Sequence, residues 1–412
     1  MDIDNKSRAG RYISQPQGYR AFIPANLPPL PPVRMDDEMW ALLSEADRAL
    51  GRLDGCTTVL PNPDLFVYMY VRKEAVLSSQ IEGTQASLID VVEFESKAAE
   101  SGIQGDVEEV VNYVAAMNYG LNRLKELPLS LRLIREIHEK LLTGVRGGDK
   151  SPGEFRSSQN WVGPPESRLD TARYVPPPPY EMQGALDNLE KYIHDEAPVP
   201  LLIKVGLVHS QFETIHPFLD GNGRVGRLLI TFLLCERGVL QRPLLYLSHY
   251  FKQNRTEYYD RLQAVRDSGD WESWLKFFLH GVAVVAREAA ITARKVEDLR
   301  ERDRKEITAQ MGRGAAKGLV LLEQLYSRPI VDVAAVSKII NRGIPTANEL
   351  VQEMCKMDIL QETTGHKRNR SFAYWAYLDL FADDGTAAGS WPKHVAGGKG
   401  GRREDPDIQE VP

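Results

Sequence analysis

Apolar residues recur at helix-period spacing before residue 300, where strand signals are nearly absent. The period is clearest in residues 63–83, where three- and four-residue steps connect Phe66, Met69, Tyr70, Lys73 and Leu77. Such steps place side chains on one face of an α-helix, and Gly83 is expected to end this helix. The pattern predicts a mainly α fold with an all-helical core.

One turn-rich segment, residues 151–180, interrupts the predicted helices and contains seven prolines. Two short strand-like pieces, SQNWV and ARYV, flank its centre, so a surface β-hairpin or flap is predicted there. Helices are predicted on both sides of it, at 106–124, 129–142, 180–194, 201–213, 223–237, 256–266 and 271–302.

The length of 412 residues is too great for one ordinary core, and two or three domains are expected. Residues 305–381 follow the order helix, turn, helix and hairpin, which is typical of a winged helix. The predicted organisation is an extended N-terminal arm at 1–35, a helical region at 36–125, a helical core at 126–300, a winged-helix domain at 305–381 and a disordered tail at 382–412.

Composition and charge argue against several classes of protein. The net charge of −6 gives no global attraction to nucleic acid or to an anionic membrane. The three cysteines, Cys56, Cys235 and Cys355, are far apart, which argues against a disulfide framework and a zinc site. No apolar run suits a signal peptide or a membrane span, so the expected location is a reducing cytoplasm, away from membranes.

The segment HPFLDGNGRVGR, from His216 to Arg227, groups residues that suit phosphate chemistry. Its Gly-Asn-Gly allows a tight turn, and the N–H groups at the start of the next helix can cradle an anion. Arg224 and Arg227 are three residues apart, so they can hold further phosphate oxygens. Asp220 can hold a Mg²⁺ ion that bridges phosphates. His216 is a candidate general base for a hydroxyl nucleophile.

Three other interpretations of this segment are weaker. A calcium loop would need Gly in place of Val225 and Glu in place of Thr231. A P-loop would need a G-x-x-x-x-G-K-[ST] string, which does not occur. A structural helix start with surface arginines would explain any one of these residues, but not the full string.

The full string matches the Fic family motif, H-x-F-x-[DE]-G-N-G-R-x-x-R, at every fixed position. PGEFR at 152–156 and NWVG at 160–163 are similar to the region that leads into the Fic flap. Residues 245–279 are similar to the helices that follow the motif in bacterial Fic proteins. The resemblance covers about residues 30–290, and a C-terminal winged helix also occurs in this bacterial subgroup. It implies an all-helical protein adenylyltransferase that moves AMP from ATP to Ser, Thr or Tyr hydroxyls.

The resemblance also implies a role for each residue of the motif. His216 would deprotonate the target hydroxyl, and Asp220 would bind Mg²⁺. Arg224 would support the β-phosphate and Arg227 the γ-phosphate, with pyrophosphate as the leaving group. Tyr259 would line the adenine pocket, although core packing would also explain it. The predicted ATP-binding residues are Gly221, Asn222, Gly223, Arg224, Val225, Gly226, Arg227 and Tyr259.

A second family pattern, [ST]-x-x-x-E-[GN], is matched from Ser78 to Gly83. The resemblance implies that Glu82 pairs with Arg227 and occupies the place of the γ-phosphate. The enzyme would then be autoinhibited by a helix of its own chain. The alternative is a helix that ends in a solvated Glu and a C-terminal Gly.

The predicted partner is a target protein whose hydroxyl-bearing segment pairs with the flap. The chain itself is one candidate target, and a homodimer is left open. The winged helix leaves DNA as another candidate partner, with a basic tip at 366–370. Its ten basic and eight acidic residues form a weak electrostatic footprint, which favours a protein-interaction or dimerisation role.

Three alternatives to the transferase stay open at this point. They are a DNA-binding regulator with a nucleotide-responsive Fic core, a hydrolase that removes AMP from proteins, and a module that only binds ATP.

Overall fold

The computed structural model describes residues 7–58, 63–97, 105–164, 166–365 and 369–382. The chain divides into two compact units, residues 1–298 and 299–412. None of the described helices combines the length and the apolar character needed to cross a membrane.

Helices make up most of the first unit, which confirms the predicted mainly α fold. Its N-terminal half contains α1 (Asp37–Thr58), α2 (Pro63–Ile81), α3 (Leu88–Lys97), α4 (Gly105–Arg123) and α5 (Leu131–Leu142). Its C-terminal half contains α6 (Pro179–His194), α7 (Leu201–Ile215), α8 (Asn222–Glu236), α9 (Ser248–Gln253), α10 (Arg255–Ser268) and the start of α11 (Trp271–Gln310), which continues into the second unit. As predicted, α2 ends next to Gly83, whose φ of 102° a helix cannot contain.

Helices α7 and α8 lie at the centre of the first unit, and nearly all of their side chains are buried. They pack on each other; α8 also contacts α2, α4 and α5, and α7 contacts α6 and α10. A helix that is buried on all sides cannot shift without disturbing the core. The short turn that joins α7 to α8 is therefore fixed at both ends.

The N-terminal arm differs from the predicted extended segment, because it forms a β-hairpin. Strands β1 (Gly10–Ser14) and β2 (Arg20–Pro24) are antiparallel, with Tyr12 opposite Phe22. Phe22 is buried, and its N–H donates to the carbonyl of Val175 at 2.9 Å. An isolated two-stranded hairpin is marginally stable, so this contact with the flap, which the local sequence cannot reveal, helps to stabilise it.

The flap is less regular than the predicted hairpin. Among its described residues, one antiparallel bridge pairs Val162 with Tyr174 through N–H···O bonds of 2.8 and 3.0 Å. Prolines occupy positions 176–179, and proline has no N–H to donate to a longer ladder. The flap is therefore a short two-strand contact closed by a long turn.

The second unit combines short helices with a three-stranded antiparallel sheet of order β3–β5–β4. Its elements are α12 (Ala315–Leu325), β3 (Ile330–Asp332), α13 (Val333–Ile339), α14 (Ile344–Lys356), β4 (Gln361–Glu362), β5 (Ser371–Ala373) and α15 (Trp375–Leu378). Helices α13 and α14 correspond to the two predicted short helices. The winged-helix assignment and its DNA role stay predictions. Residues 366–368 of the basic tip and 383–412 of the predicted tail lie outside the described residues.

Candidate active site

The turn between α7 and α8 carries the predicted catalytic segment. Helix α7 ends at Ile215, and His216 follows in the left-handed region with φ 49° and ψ 60°. Gly221, with φ 76°, precedes the first residue of α8. The side chain of Asn222 closes the turn, because its Oδ1 accepts the N–H of Phe218 and its Nδ2 donates to the Phe218 carbonyl, both at 2.8 Å. The Asn222 side chain therefore holds the turn, and the backbone N–H groups of α8 are left to bind an anion.

A carboxylate lies over the N-terminus of α8. The first N–H groups of a helix have no acceptor within the helix and carry partial positive charge. A Cβ atom added to Gly223 would lie 2.2 Å from Oε1 of Glu82 and 3.0 Å from Nη1 of Arg227. Only glycine allows the carboxylate so close to the backbone here. The Glu82 carboxylate thus lies beside the first turn of α8, and the role of that turn as an anion site stays a prediction.

Arg227 binds the C-terminal end of α2 through three hydrogen bonds. Its Nη2 donates to Oε1 of Glu82 at 2.8 Å and to the carbonyl of Ser78 at 3.0 Å. Its Nε donates to Oγ of Ser78 at 2.8 Å. Burial raises the pKa of Glu82, but the charge of Arg227 and its hydrogen bond outweigh burial and hold that pKa below its usual value. The Glu82–Arg227 pair therefore stays charged at neutral pH.

Arg224 has different carboxylate partners. Its Nη1 lies 3.2 Å from Oε2 of Glu109, and its Nη2 lies 3.4 Å from Oδ1 of Asp220. Glu109 also pairs with Arg146 at 3.0 Å. Arg224 and Arg227 are 1% and 3% exposed, so the interpretation of this segment as a helix start with surface arginines is wrong. A nucleotide would meet an Arg224 that Glu109 already holds in place.

One carboxylate oxygen of Asp220 is held by a backbone N–H, while the side chain is partly exposed to solvent. Its Oδ1 accepts the N–H of Gly221 at 2.5 Å, and its side chain is 38% exposed. Its Oδ2 lies beside Gly147, where an added Cβ atom would be 2.7 Å away. The carboxylate can therefore reach a cation that arrives from solvent.

The imidazole of His216 is neutral in this environment. Burial, and to a smaller extent the cations Arg266 and Arg156, lower its pKa to about 3, although Glu82 and the backbone of Glu213 act in the opposite direction. A neutral ring can accept a proton. The predicted general base is therefore in its reactive form at neutral pH.

We expect the His216 ring of the nucleotide-free protein to stay neutral from pH 8 down to about pH 5. The reason is the sign of the shift: a lowered pKa means that protonation begins only well below the ordinary value of about 6.5. Nitrogen chemical shifts of labelled histidine measure this directly, with the exposed His280 as an internal control. A His216 ring that titrates near 6.5 would contradict the buried environment.

Two neighbouring tyrosines have different surroundings. Tyr258 is buried, and its hydroxyl lies 2.9 Å from Nε2 of His209 in the core. Burial and the charge of Glu82 raise the pKa of Tyr259 to about 12, so its ring lies within electrostatic reach of the Glu82–Arg227 pair. Its predicted role in an adenine pocket stays a prediction.

The structure adds residues to the site that sequence reasoning did not assign. His138 accepts the N–H of Gly153 at Nδ1, 2.9 Å away, so its Nε2 carries the proton and donates to the Asp220 carbonyl at 3.0 Å. Glu109 and Arg156 also contact the catalytic turn or its helix. Of these residues, Arg156 has a sequence signal, because it lies in the PGEFR segment that is similar to the region leading into the Fic flap, but that resemblance implies no role for it.

Comparison with known proteins gives matches in both halves of the first unit. The sequence model described as Fic/DOC family N-terminal matches residues 40–122, and the model described as Fic/DOC family matches residues 128–234. A probable protein adenylyltransferase of Aquifex aeolicus is 32% identical over 181 residues, which is 42% of this chain and 51% of that protein. Protein adenylyltransferase Fic of Aedes aegypti is 29% identical over 252 residues, which is 59% of this chain and 46% of that protein. The chain therefore spans about half the length of these relatives.

A solved structure has the same fold. The crystal structure of a Fic family protein from Desulfovibrio desulfuricans aligns with a TM-score of 0.55 and 18% sequence identity. The alignment covers 83% of this chain and 97% of that protein. At this identity the likeness is one of fold.

Proposed function

We propose, from the premise that the chain belongs to the Fic/DOC family, that it transfers AMP from ATP to a Ser, Thr or Tyr hydroxyl of a target protein. The observation that carries the proposal is the anion position at the start of α8, where the Glu82 carboxylate lies over Gly223 and against Arg227. Phosphate oxygens suit the same donors, because a helix N-terminus and a guanidinium both favour negative charge.

His216 is the proposed general base for the transfer. Its neutral imidazole takes the proton of the target hydroxyl while the hydroxyl oxygen attacks the α-phosphorus of ATP. A bond forms between that oxygen and the α-phosphorus, and the bond from the α-phosphorus to the oxygen it shares with the β-phosphorus breaks. Pyrophosphate leaves. The N–H groups at the start of α8 are fixed before the reaction, so they can stabilise the charge that gathers on the phosphate oxygens.

Asp220 is the proposed ligand for a Mg²⁺ ion that arrives with the nucleotide. Its half-exposed carboxylate suits this ion, because a protein often gives Mg²⁺ one or two carboxylates while phosphates and water supply the other ligands. When bound, the ion would neutralise charge on the phosphates. Asp220 itself is oriented by the N–H of Gly221 and by His138 on its carbonyl.

The contacts of Glu82 support autoinhibition as part of the proposal. While Glu82 lies on Arg227, the guanidinium is not available to a γ-phosphate. Release requires Glu82 to leave Arg227, and Gln80 restrains the backbone at the end of α2. Its Oε1 accepts from Lys252 of α9 at 2.6 Å, and its Nε2 donates to the carbonyl of Ala86 at 2.9 Å.

We expect Gly223→Ala, made in a Glu82→Gly protein, to weaken the binding of ATP with Mg²⁺ by about tenfold or more. The added methyl group would enter the space over the start of α8, where the proposed phosphates bind. Overpacking costs about 1–3 kcal/mol, and about 1.4 kcal/mol of binding free energy corresponds to a tenfold change in Kd. Isothermal titration calorimetry measures the change. Gly184→Ala on α6 is the control, since its Cβ would meet nothing within 4 Å. Equal affinity in both variants would place the nucleotide elsewhere.

Transfer itself is tested by incubating the Glu82→Gly protein with ATP that is labelled at the α-phosphorus. Label on protein supports the proposal. Label that stays entirely in free nucleotides contradicts it.

A further inference from the structure

Side chains donate to the carbonyls of the last three residues of α7 and to the carbonyl of His216, which follows the helix. A helix normally leaves these groups without partners inside the helix. Arg266 Nη2 donates to the carbonyl of Glu213 at 3.2 Å, and Tyr174 Oη donates to that of Thr214 at 2.5 Å. Arg156 donates through Nη2 to the carbonyl of Ile215 at 3.4 Å and through Nε to that of His216 at 3.0 Å. Asn160 Nδ2 also donates to the His216 carbonyl, at 3.3 Å. Three of these four residues come from the flap and its base.

Arg156 makes the most contacts in this cap. It is 3% exposed, and within the described chain its guanidinium donates only to backbone carbonyls, which also include those of Ser158 and Pro177. The backbone N–H of Arg156 donates to the carbonyl of Pro217 at 2.9 Å. Burial lowers the pKa of Arg156 to about 10, so the group is still a cation at neutral pH. A cation is favourable here because the C-terminus of a helix carries partial negative charge.

The backbone of His216 needs such support. Its φ of 49° and ψ of 60° lie in the left-handed region, which is unfavourable for a residue other than glycine. Strained conformations persist only when the surrounding structure holds them. Arg156 contacts the carbonyls of Ile215, His216 and Pro217, and so holds this residue from both sides.

We propose that Arg156 is a positioning residue, which with Asn160 and Tyr174 holds His216 in its left-handed conformation and joins the flap to the catalytic turn as one mechanical unit. This inference rests on the proposed function, because it assigns the flap a second task beside target binding. Tyr174 is one of the two residues of the Val162–Tyr174 bridge, and Asn160 lies two residues before Val162. The segment that would receive the target is thus the same segment that holds the base.

Arg156→Lys in the Glu82→Gly background tests the inference. Lysine keeps the cation but lacks the planar group with several donors, so it cannot reach all of these carbonyls. We expect kcat for AMP transfer to fall by about 30-fold or more, since a displacement of about 1 Å can cost on the order of 100-fold. We expect the Kd for ATP to stay unchanged, because the contacts of Arg156 are with α7 and the flap. Arg135→Lys is the matched control, since Arg135 donates to the carbonyl of Gly153 at 2.7 Å in the same PGEFR segment.

Hydrogen exchange on the nucleotide-free proteins gives a readout that needs no activity. Amides of residues 213–218 should exchange about tenfold faster or more in Arg156→Lys, while those of α8 stay protected. Tyr174→Phe, which removes one hydrogen bond of the cap, should lower kcat by about threefold to tenfold and keeps the test open if Arg156→Lys does not fold.

The outcomes separate the inference from the proposed function. A loss of ATP affinity equal to the loss of kcat, or unchanged exchange in residues 213–218, would overturn the positioning role. If the Glu82→Gly parent transfers no AMP, the proposed function fails, and the exchange experiment still decides whether Arg156 holds the turn.

Discussion

Glu82→Gly should raise the rate of AMP transfer by the purified protein about 100-fold. The substitution removes the carboxylate that lies over Gly223 and on Arg227, so both groups become available to the γ-phosphate. A factor of about 100 is expected if about 1% of the resting molecules are open, because the apparent affinity scales with the competent fraction. The rate is measured as label transferred from ATP to protein at fixed ATP and Mg²⁺.

The control for this experiment is a second Glu–Arg pair. Arg72 of α2 pairs with Glu95 of α3 at 2.6 Å, away from the turn. Glu95→Gln removes a carboxylate charge from that pair and should leave the rate at its resting value, whereas Glu82→Gln should raise it. Equal rates for Glu82→Gly and the unmodified protein would mean that the Glu82–Arg227 pair is structural and not inhibitory.

His216→Ala in the same Glu82→Gly background should lower transfer by about 1,000-fold. General-base catalysis contributes typically 10²–10⁴-fold, and the pKa of about 3 means that the His216 ring is unprotonated throughout the neutral range. The Kd for ATP should change little, because the proposed phosphate-binding groups are those of α8 and Arg227 and do not include His216. Transfer kinetics and calorimetry on the same preparation separate the two quantities.

His280→Ala is the histidine control. His280 is exposed, and its Nδ1 lies 3.1 Å from the hydroxyl of Tyr250, so its loss should leave transfer unchanged. A His216→Ala protein that still transfers AMP at the parent rate would remove His216 from the proposed chemistry.

The turn between α7 and α8 could be predicted because its sequence signals are local. The order of His, Asp, Gly, Asn and Arg within twelve residues determines a tight turn and a helix start, and both are present between α7 and α8. The end of α2 near Gly83 was predictable for the same reason, since glycine readily takes the positive φ that ends a helix, and the structure gives Gly83 this φ. The mainly α fold follows from apolar periodicity, which needs no knowledge of tertiary contacts.

The partners of the two arginines could not be predicted from local sequence. Glu109 is 115 residues from Arg224 along the chain, and nothing in the spacing of the motif indicates that pair. Burial of both guanidiniums depends on α2, α4 and α8 packing together. From the sequence, the N-terminal arm and the flap are predicted as separate features. In the structure the N–H of Phe22 donates to the carbonyl of Val175 and so connects the arm to the flap.

The most direct test of the proposed chemistry is mass spectrometry of the Glu82→Gly protein, alone and with a cell lysate, after incubation with Mg²⁺ and ATP. The account predicts a Ser, Thr or Tyr side chain that carries AMP through its oxygen, with the α-phosphorus retained and pyrophosphate released, and no such adduct with His216→Ala. A side chain that carries only the γ-phosphate, or tight ATP binding without any adduct, would contradict it.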